Sequence, residues 1–234
     1  MPWVPYCVTQ SKEAVSVAAG VCDAEVQSQE FSGLRLRAYW SEIANPEACL
    51  GGPESFRKAG LQFQQVLREI LAVTTPIPFS FPTLLEGGQE ALEQLVAADQ
   101  DLYRGALERI GDAVQYEITG SWTVDEQADL ATPISGREYL KRRQEAAGRI
   151  AAIESKLKNV TADVVREWRA RQERRMHRWF ALVPRASRER FIALLRSAGP
   201  SEGVRLRLSG PWPPGEFVEP QGGPGRDKTI PTSC

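Results

Sequence analysis

Residues 24–40 read AEVQSQEFSGLRLRAYW, and the alternation in their second half sets the architecture. Leu34, Leu36 and Ala38 alternate with Arg35, Arg37 and Tyr39, the period-two pattern of a strand with one buried face. Ser32-Gly33 supplies a turn, so 24–31 and 34–40 are expected to be two strands of one sheet. Upstream, WVPYCV at 3–8 is β-prone, and Pro5 suits an edge position or a strand start. Between these strands a short helix is expected over 11–19, ended by Gly20.

Downstream the period changes. From Ser55, the residues Phe56, Ala59, Gly60, Phe63, Val66, Leu67, Ile70 and Leu71 recur at three- and four-residue spacing, as one face of a helix does. TPIPFSFPTLL at 75–85 carries three prolines and is expected to be extended, with Phe79 and Phe81 on one side. A helix over 88–110 follows, with Leu92, Leu95, Val96, Leu102 and Leu107 inward, then a strand at 114–124 with Val114, Tyr116 and Ile118 on one face. Strands and helices in this order make an α+β sandwich, for which a ferredoxin-like arrangement is the natural candidate.

The second half opens with a helix from Ser135 to about Lys158, striped by Tyr139, Ala146, Ile150, Ile153 and Leu157. A second helix is expected over 161–175, capped by Thr161, and the two would form a helical hairpin. RWFALVP at 178–184 reads as a strand, 187–199 as a helix stopped by Gly199-Pro200, and GVRLRLSG at 203–210 as a last strand. The expected organisation is an α+β domain over 1–132, a domain of helical hairpin and small sheet over 133–218, and a disordered Gly/Pro-rich tail over 219–234.

The net charge of −1 conceals an asymmetry. Residues 1–136 hold 8 Lys and Arg against 19 Asp and Glu, and 137–178 hold 13 against 6, so the two parts expose fields of opposite sign. No apolar run approaches the roughly 20 residues a membrane span needs. The N-terminus MPWVPYCVTQ lacks the basic and apolar regions of a secretory signal, so a cytoplasmic location is expected. Cys7, Cys22, Cys49 and Cys234 are widely spaced and expected to be free thiols.

Motifs for chemistry are missing. The one histidine, His177, has no cysteine or serine motif near it, and the chain carries no GxGxxG, P-loop, GxSxG or HExxH. No catalytic, cofactor or metal site is expected. The basic run REWRARQERRMHR at 166–178, read as a helix, is the one feature a nucleic-acid-binding alternative would use, though a pI near 6.0 opposes generic affinity.

Two segments stand apart. PISGREYLKRR at 133–143 starts a long helix at Ser135 or Gly136, with Tyr139 and Leu140 expected inward and Arg142 and Arg143 outward. LRLSGPWPPGEFV at 206–218 runs from a strand through Gly210 into Pro211, Trp212, Pro213 and Pro214, a stiff segment that fixes one indole in place. In this order and separation they resemble the gas-vesicle GvpF/GvpL family, which shows a Gly-x-x-Tyr-Leu-x-x-Arg helix start and a C-terminal Gly-Pro-Trp-Pro-Pro. FALVPRASRERF at 180–191 and PIPFSF at 76–81 are similar to further segments of that family. Gly215 stands where an aromatic usually follows Pro-Pro, and Ser80 where a glycine is usual.

The resemblance implies two ferredoxin-like or modified ferredoxin-like domains and no catalysis. It implies a part in gas-vesicle formation, as an assembly factor or minor component in contact with the main shell protein and other accessory proteins. The matching positions, Gly136, Tyr139, Leu140, Arg143, Gly210, Pro211, Trp212, Pro213 and Pro214, are the interaction candidates.

Overall fold

The structure, a computed structural model, describes residues 1–122, 135–173, 176–198 and 204–219. The tail expected to be disordered lies, from residue 220 onward, outside the described residues.

The hairpin at 24–40 forms as strands β2 (Gln27–Phe31) and β3 (Leu36–Glu42), in register from Phe31 opposite Leu36 to Gln27 opposite Trp40. With β1 (Trp3–Thr9) and β4 (Ile77–Pro78) they make an antiparallel sheet in the order β2-β3-β1-β4. Two helices, α1 (Pro46–Leu50) and α2 (Pro53–Val73), connect β3 to β4. One buried face was expected of β3, but both are buried, because the alternation divides its side chains between two cores. Leu36, Ala38 and Trp40 enter one, while Tyr39 enters the other beneath Ala59, Phe63, Val66 and Ile70 of α2.

Residues 11–19 are not helical. Their backbone groups are taken by side chains of the sheet and of α2 instead. Val15 N–H donates to the Tyr39 hydroxyl at 3.1 Å, Ala18 N–H to Glu69 at 3.0 Å, and Arg37 donates to the carbonyls of Ser11 and Lys12. The Tyr6 hydroxyl accepts from Val21 N–H at 2.7 Å and donates to Ser41 Oγ at 2.9 Å. Gly20 lies so close that a Cβ there would stand 2.3 Å from both hydroxyl oxygens, so it serves close packing where a helix stop was expected. Cys22 and Cys49 join this segment to α1 by a disulfide, against the expectation of free thiols, while Cys7 is free and buried.

The helix expected over 88–110 is two, α3 (Gly88–Ala98) and α4 (Gln100–Ile110), parted at Asp99. Phe79 and Phe81 do not share a side. Phe79 packs edge-on to Tyr103, and Phe81 stacks obliquely with Phe56 and Phe63 of α2.

Strand β5 (Ala113–Trp122), expected to close the first sheet, belongs to a second one. There it joins β6 (Glu167–Glu173), β7 (Met176–Pro184) and β8 (Val204–Trp212) in the antiparallel order β6-β7-β5-β8. Helices α5 (Gly136–Val160) and α6 (Arg188–Ser197) are the connections from β5 to β6 and from β7 to β8. Ser135 caps α5, its Oγ accepting from Glu138 N–H, which sets the helix start at Gly136, one of the two expected positions.

The helical hairpin is overturned: 167–173 is strand, paired with β7 from Glu167 opposite Leu182 to Glu173 opposite Met176. Within the run taken for a basic helix, Trp168 packs towards Phe191 while Arg169 lies over Phe217, one residue to each face of a sheet. Burial of Trp168 decides this period against the local helix propensity of the arginines.

One core cluster spans both sheets. It holds Val8, Leu36 and Trp40 from the first, Phe180 and Leu182 from the second, Leu92, Val96, Leu107 and Ile110 from α3 and α4, and Phe217. Beyond the second sheet, Ile150, Ile153 and Leu157 of α5 and Phe191 of α6 cover Val114, Tyr116 and Ile118. Each such side chain, fully buried, contributes about 1.5–3 kcal/mol.

Candidate functional site

Helix α2 carries two stripes. The first, described above, is buried against the first sheet. The second, Arg57, Leu61, Gln64 and Arg68, follows the spacing i, i+4, i+7, i+11 and faces outward. The end of β8 lies alongside it, so that Trp212 and Pro213 form the opposite wall of a cleft of about 440 Å³. Phe63, Leu67, Phe81 and Pro78 make an apolar floor, and Leu61, 59% exposed, stands on the rim. The Arg68 guanidinium lies 5.6 Å from the centre of the Trp212 ring, a cation–π distance.

Trp212 is held from behind. Gly210 has φ +124, and a Cβ there would meet the Gln115 carbonyl oxygen at 2.9 Å, so only glycine fits this bend beside a register shift in β5. The strand continues through Pro211 to Trp212, which pairs with Gln115, where a polyproline segment was expected. Then a 3-10 turn, Gly215–Phe217, buries Phe217 completely in the shared core. Glu216 N–H donates to Gln115 Oε1 at 3.0 Å. Two arginines from different parts of the chain grip the carbonyls of this turn. Arg109 of α4 donates to Phe217 and Val218, and Arg169 of β6 donates to Glu216 and Glu219. The cleft therefore exists only where α2 and β8 are docked together.

Among the described residues, the lining of the cleft holds no carboxylate, thiol, hydroxyl or imidazole, and so no acid, base or nucleophile. It offers apolar area, one indole and two cations, the composition of a contact surface. His177 lies elsewhere, on β7, stacked on Trp179 at 6.0 Å, its pKa lowered by burial against the opposing pull of Glu154. Among the described residues, no group of three or more His, Cys, Asp or Glu side chains gathers as a metal site requires, and no helix is long and apolar enough to cross a membrane.

The profile of the family described as gas vesicle synthesis protein GvpL/GvpF matches residues 3–219, nearly the whole chain. The chain belongs to the GvpL/GvpF family. It is 24% identical to gas vesicle protein L1 of Halobacterium salinarum, with 91% of this chain and 89% of that protein covered. Its fold is that of crystal structures of the gas vesicle protein GvpF from Anabaena and from Microcystis aeruginosa, each at a TM-score of 0.69 and 14% identity. The match covers 93% of this chain, and 96% and 99% of theirs.

Of the motif residues of this GvpL/GvpF chain, Trp212 and Pro213 line the cleft, Gly210 and Pro211 shape the approach to it, and Pro214 is buried behind it. Gly136 opens α5 on the surface, and Leu140, expected to face inward, is 58% exposed. The side chains of Tyr139 and Arg143, with that of Arg142, lie outside the described residues. Arg57, Leu61, Gln64 and Arg68 had not been singled out. Their helical spacing is legible, but only the approach of Trp212 makes a site of it.

Proposed function

We propose that this GvpL/GvpF-family chain is a non-catalytic assembly accessory of the gas vesicle, acting in the cytoplasm and at the vesicle by protein contacts. In this reading it holds the main gas-vesicle shell protein, and with it other accessory proteins, at the cleft between α2 and Trp212. The carrying observation is the cleft itself: an apolar floor with Leu61 exposed on its rim, and no acid, base or nucleophile among its described lining residues. A shell subunit with apolar surface aggregates unless a partner covers it, and a preformed apolar cleft is suited to that task.

The paired strand orders, β2-β3-β1-β4 and β6-β7-β5-β8, support the further reading that both units are ferredoxin-like, the first in modified form. The nucleic-acid alternative relied on a basic helix, and 167–173 is strand. Among the described residues of the 166–178 run, Arg169 pairs with Glu167, Arg171 with Glu216, Arg178 with Glu117 and Arg166 with Asp112, while Arg174 and Arg175 lie outside the described residues.

The test is a pull-down of the tagged chain co-expressed with the small shell protein. Retention of the shell protein by the unaltered chain, lost in Leu61→Asp, is the expected result. Equal retention by Leu61→Asp would remove the cleft from the account, and no retention at all would remove the accessory role.

A further inference from the structure

We propose that the occupant of the cleft is an amphipathic helix of the partner, lying along α2 and presenting carboxylates to Arg57 and Arg68. The inference rests on the reading of the cleft as a partner-binding site and adds the chemistry of what enters it.

The first argument is charge. Arg57 and Arg68 are two of only 8 basic residues among the first 136, against 19 acidic ones. Arg57 has no hydrogen-bond or ion-pair partner among the described residues, and Arg68 only lies over Trp212. A carboxylate brought to this half of the molecule is attracted at the cleft and repelled over most of the remaining surface, which selects the place of docking as well as the partner.

The second argument is length. Arg57 and Arg68 are eleven residues apart on one helix, about 16 Å along its axis, or three turns. A facing helix spans the same distance in the same number of residues, with apolar side chains of its intervening turns over Phe63, Leu67 and Phe81.

The third argument is backbone. An extended occupant needs free N–H and C=O groups to pair with. The Trp212 wall ends in Pro211, Pro213 and Pro214, which have no N–H, and Trp212 itself is paired with Gln115. A helix satisfies its own backbone and needs none of this. Gly60 completes the fit. It faces the cleft from α2, and a Cβ there would stand 3.6 Å from Phe81, an ordinary contact, so glycine here is not demanded by the fold. Its effect is to leave room for a close approach.

The experiment uses the full chain and the co-expressed shell protein, with thermal melts of every variant. Arg57→Glu with Arg68→Glu is expected to lower retention about tenfold or more at low salt with an unchanged melt. Replacing helix carboxylates of the shell protein by lysine is expected to restore it. Gly60→Leu is expected to lower retention through bulk alone. Retention lost in Leu61→Asp but unchanged in the arginine double variant would overturn the carboxylate-bearing helix and leave the cleft standing. Retention unchanged in Gly60→Leu would overturn the close approach of a helix. An unaltered chain that retains nothing would overturn both readings together.

Discussion

The two sheets have the same strand order, but they close their first crossover by opposite means. Between β5 and β6 the chain crosses as α5, a helix of 25 residues that buries Ile150, Ile153 and Leu157 in one stripe. Between β1 and β2 it crosses as an irregular segment, held by the hydroxyls of Tyr6 and Tyr39, by Arg37, Gln62 and Glu69, and by the disulfide of Cys22 with Cys49. The first device is paid in apolar area and tolerates variation of its outer face. The second depends on individual polar atoms, each left unsatisfied if its partner is lost. The same topology can thus be completed by burial or by a fitted set of hydrogen bonds.

The comparison can be tested by removing one support at a time. The largest effect is expected from Trp179→Ala on β7, which empties the core under α5 where the indole is 1% exposed and donates to Glu154. It should cost about 3–5 kcal/mol in chemical denaturation. Cys49→Ser releases the crossover of the first sheet. Its disulfide closes a sequence separation of 27 residues, and the loss expected from chain entropy is about 3.5 kcal/mol. A loss well below 1 kcal/mol would show that the hydrogen bonds alone hold the segment.

Tyr6→Phe removes the hydroxyl between Val21 and Ser41 and leaves both without it. We expect about 1–3 kcal/mol, with faster amide exchange confined to residues near Val21. The smallest effect is expected from pH. Burial lowers the His177 pKa below its ordinary 6.5, so the unfolded chain binds the proton more readily. Stability should fall as pH drops through that value, and His177→Phe should flatten this part of the profile. Glu154, whose carboxyl is lowered by its hydrogen bond from Lys158, adds stability above its ordinary 4.5 that is lost on further acidification.

The same contrast explains what the sequence disclosed. The stripe of α2, the alternation of Val114, Tyr116 and Ile118 in β5 and the start of α5 at Ser135 are local patterns, and each is found where it was expected. The irregular crossover has no period, because its backbone partners come from residues far along the chain, Tyr39 to Val15 and Glu69 to Ala18. At 167–173 helix-forming arginines hid an alternation that tertiary burial of Trp168 and Arg169 decides. Trp212 was legible as a fixed indole. The helix face opposite it was not, since Arg57 and Arg68 are separated from Trp212 by most of the chain and meet it only in the fold.

The cleft is the centre of the account, and Leu61 and Leu140 offer an internal control, being exposed to 59% and 58% respectively. A photo-cross-linking residue placed at each position in turn, in the chain co-expressed with the shell protein, reads the contact directly. The account predicts a covalent adduct with the shell protein from position 61 and little from position 140. Equal yields from both, or an adduct from position 140 alone, would contradict it.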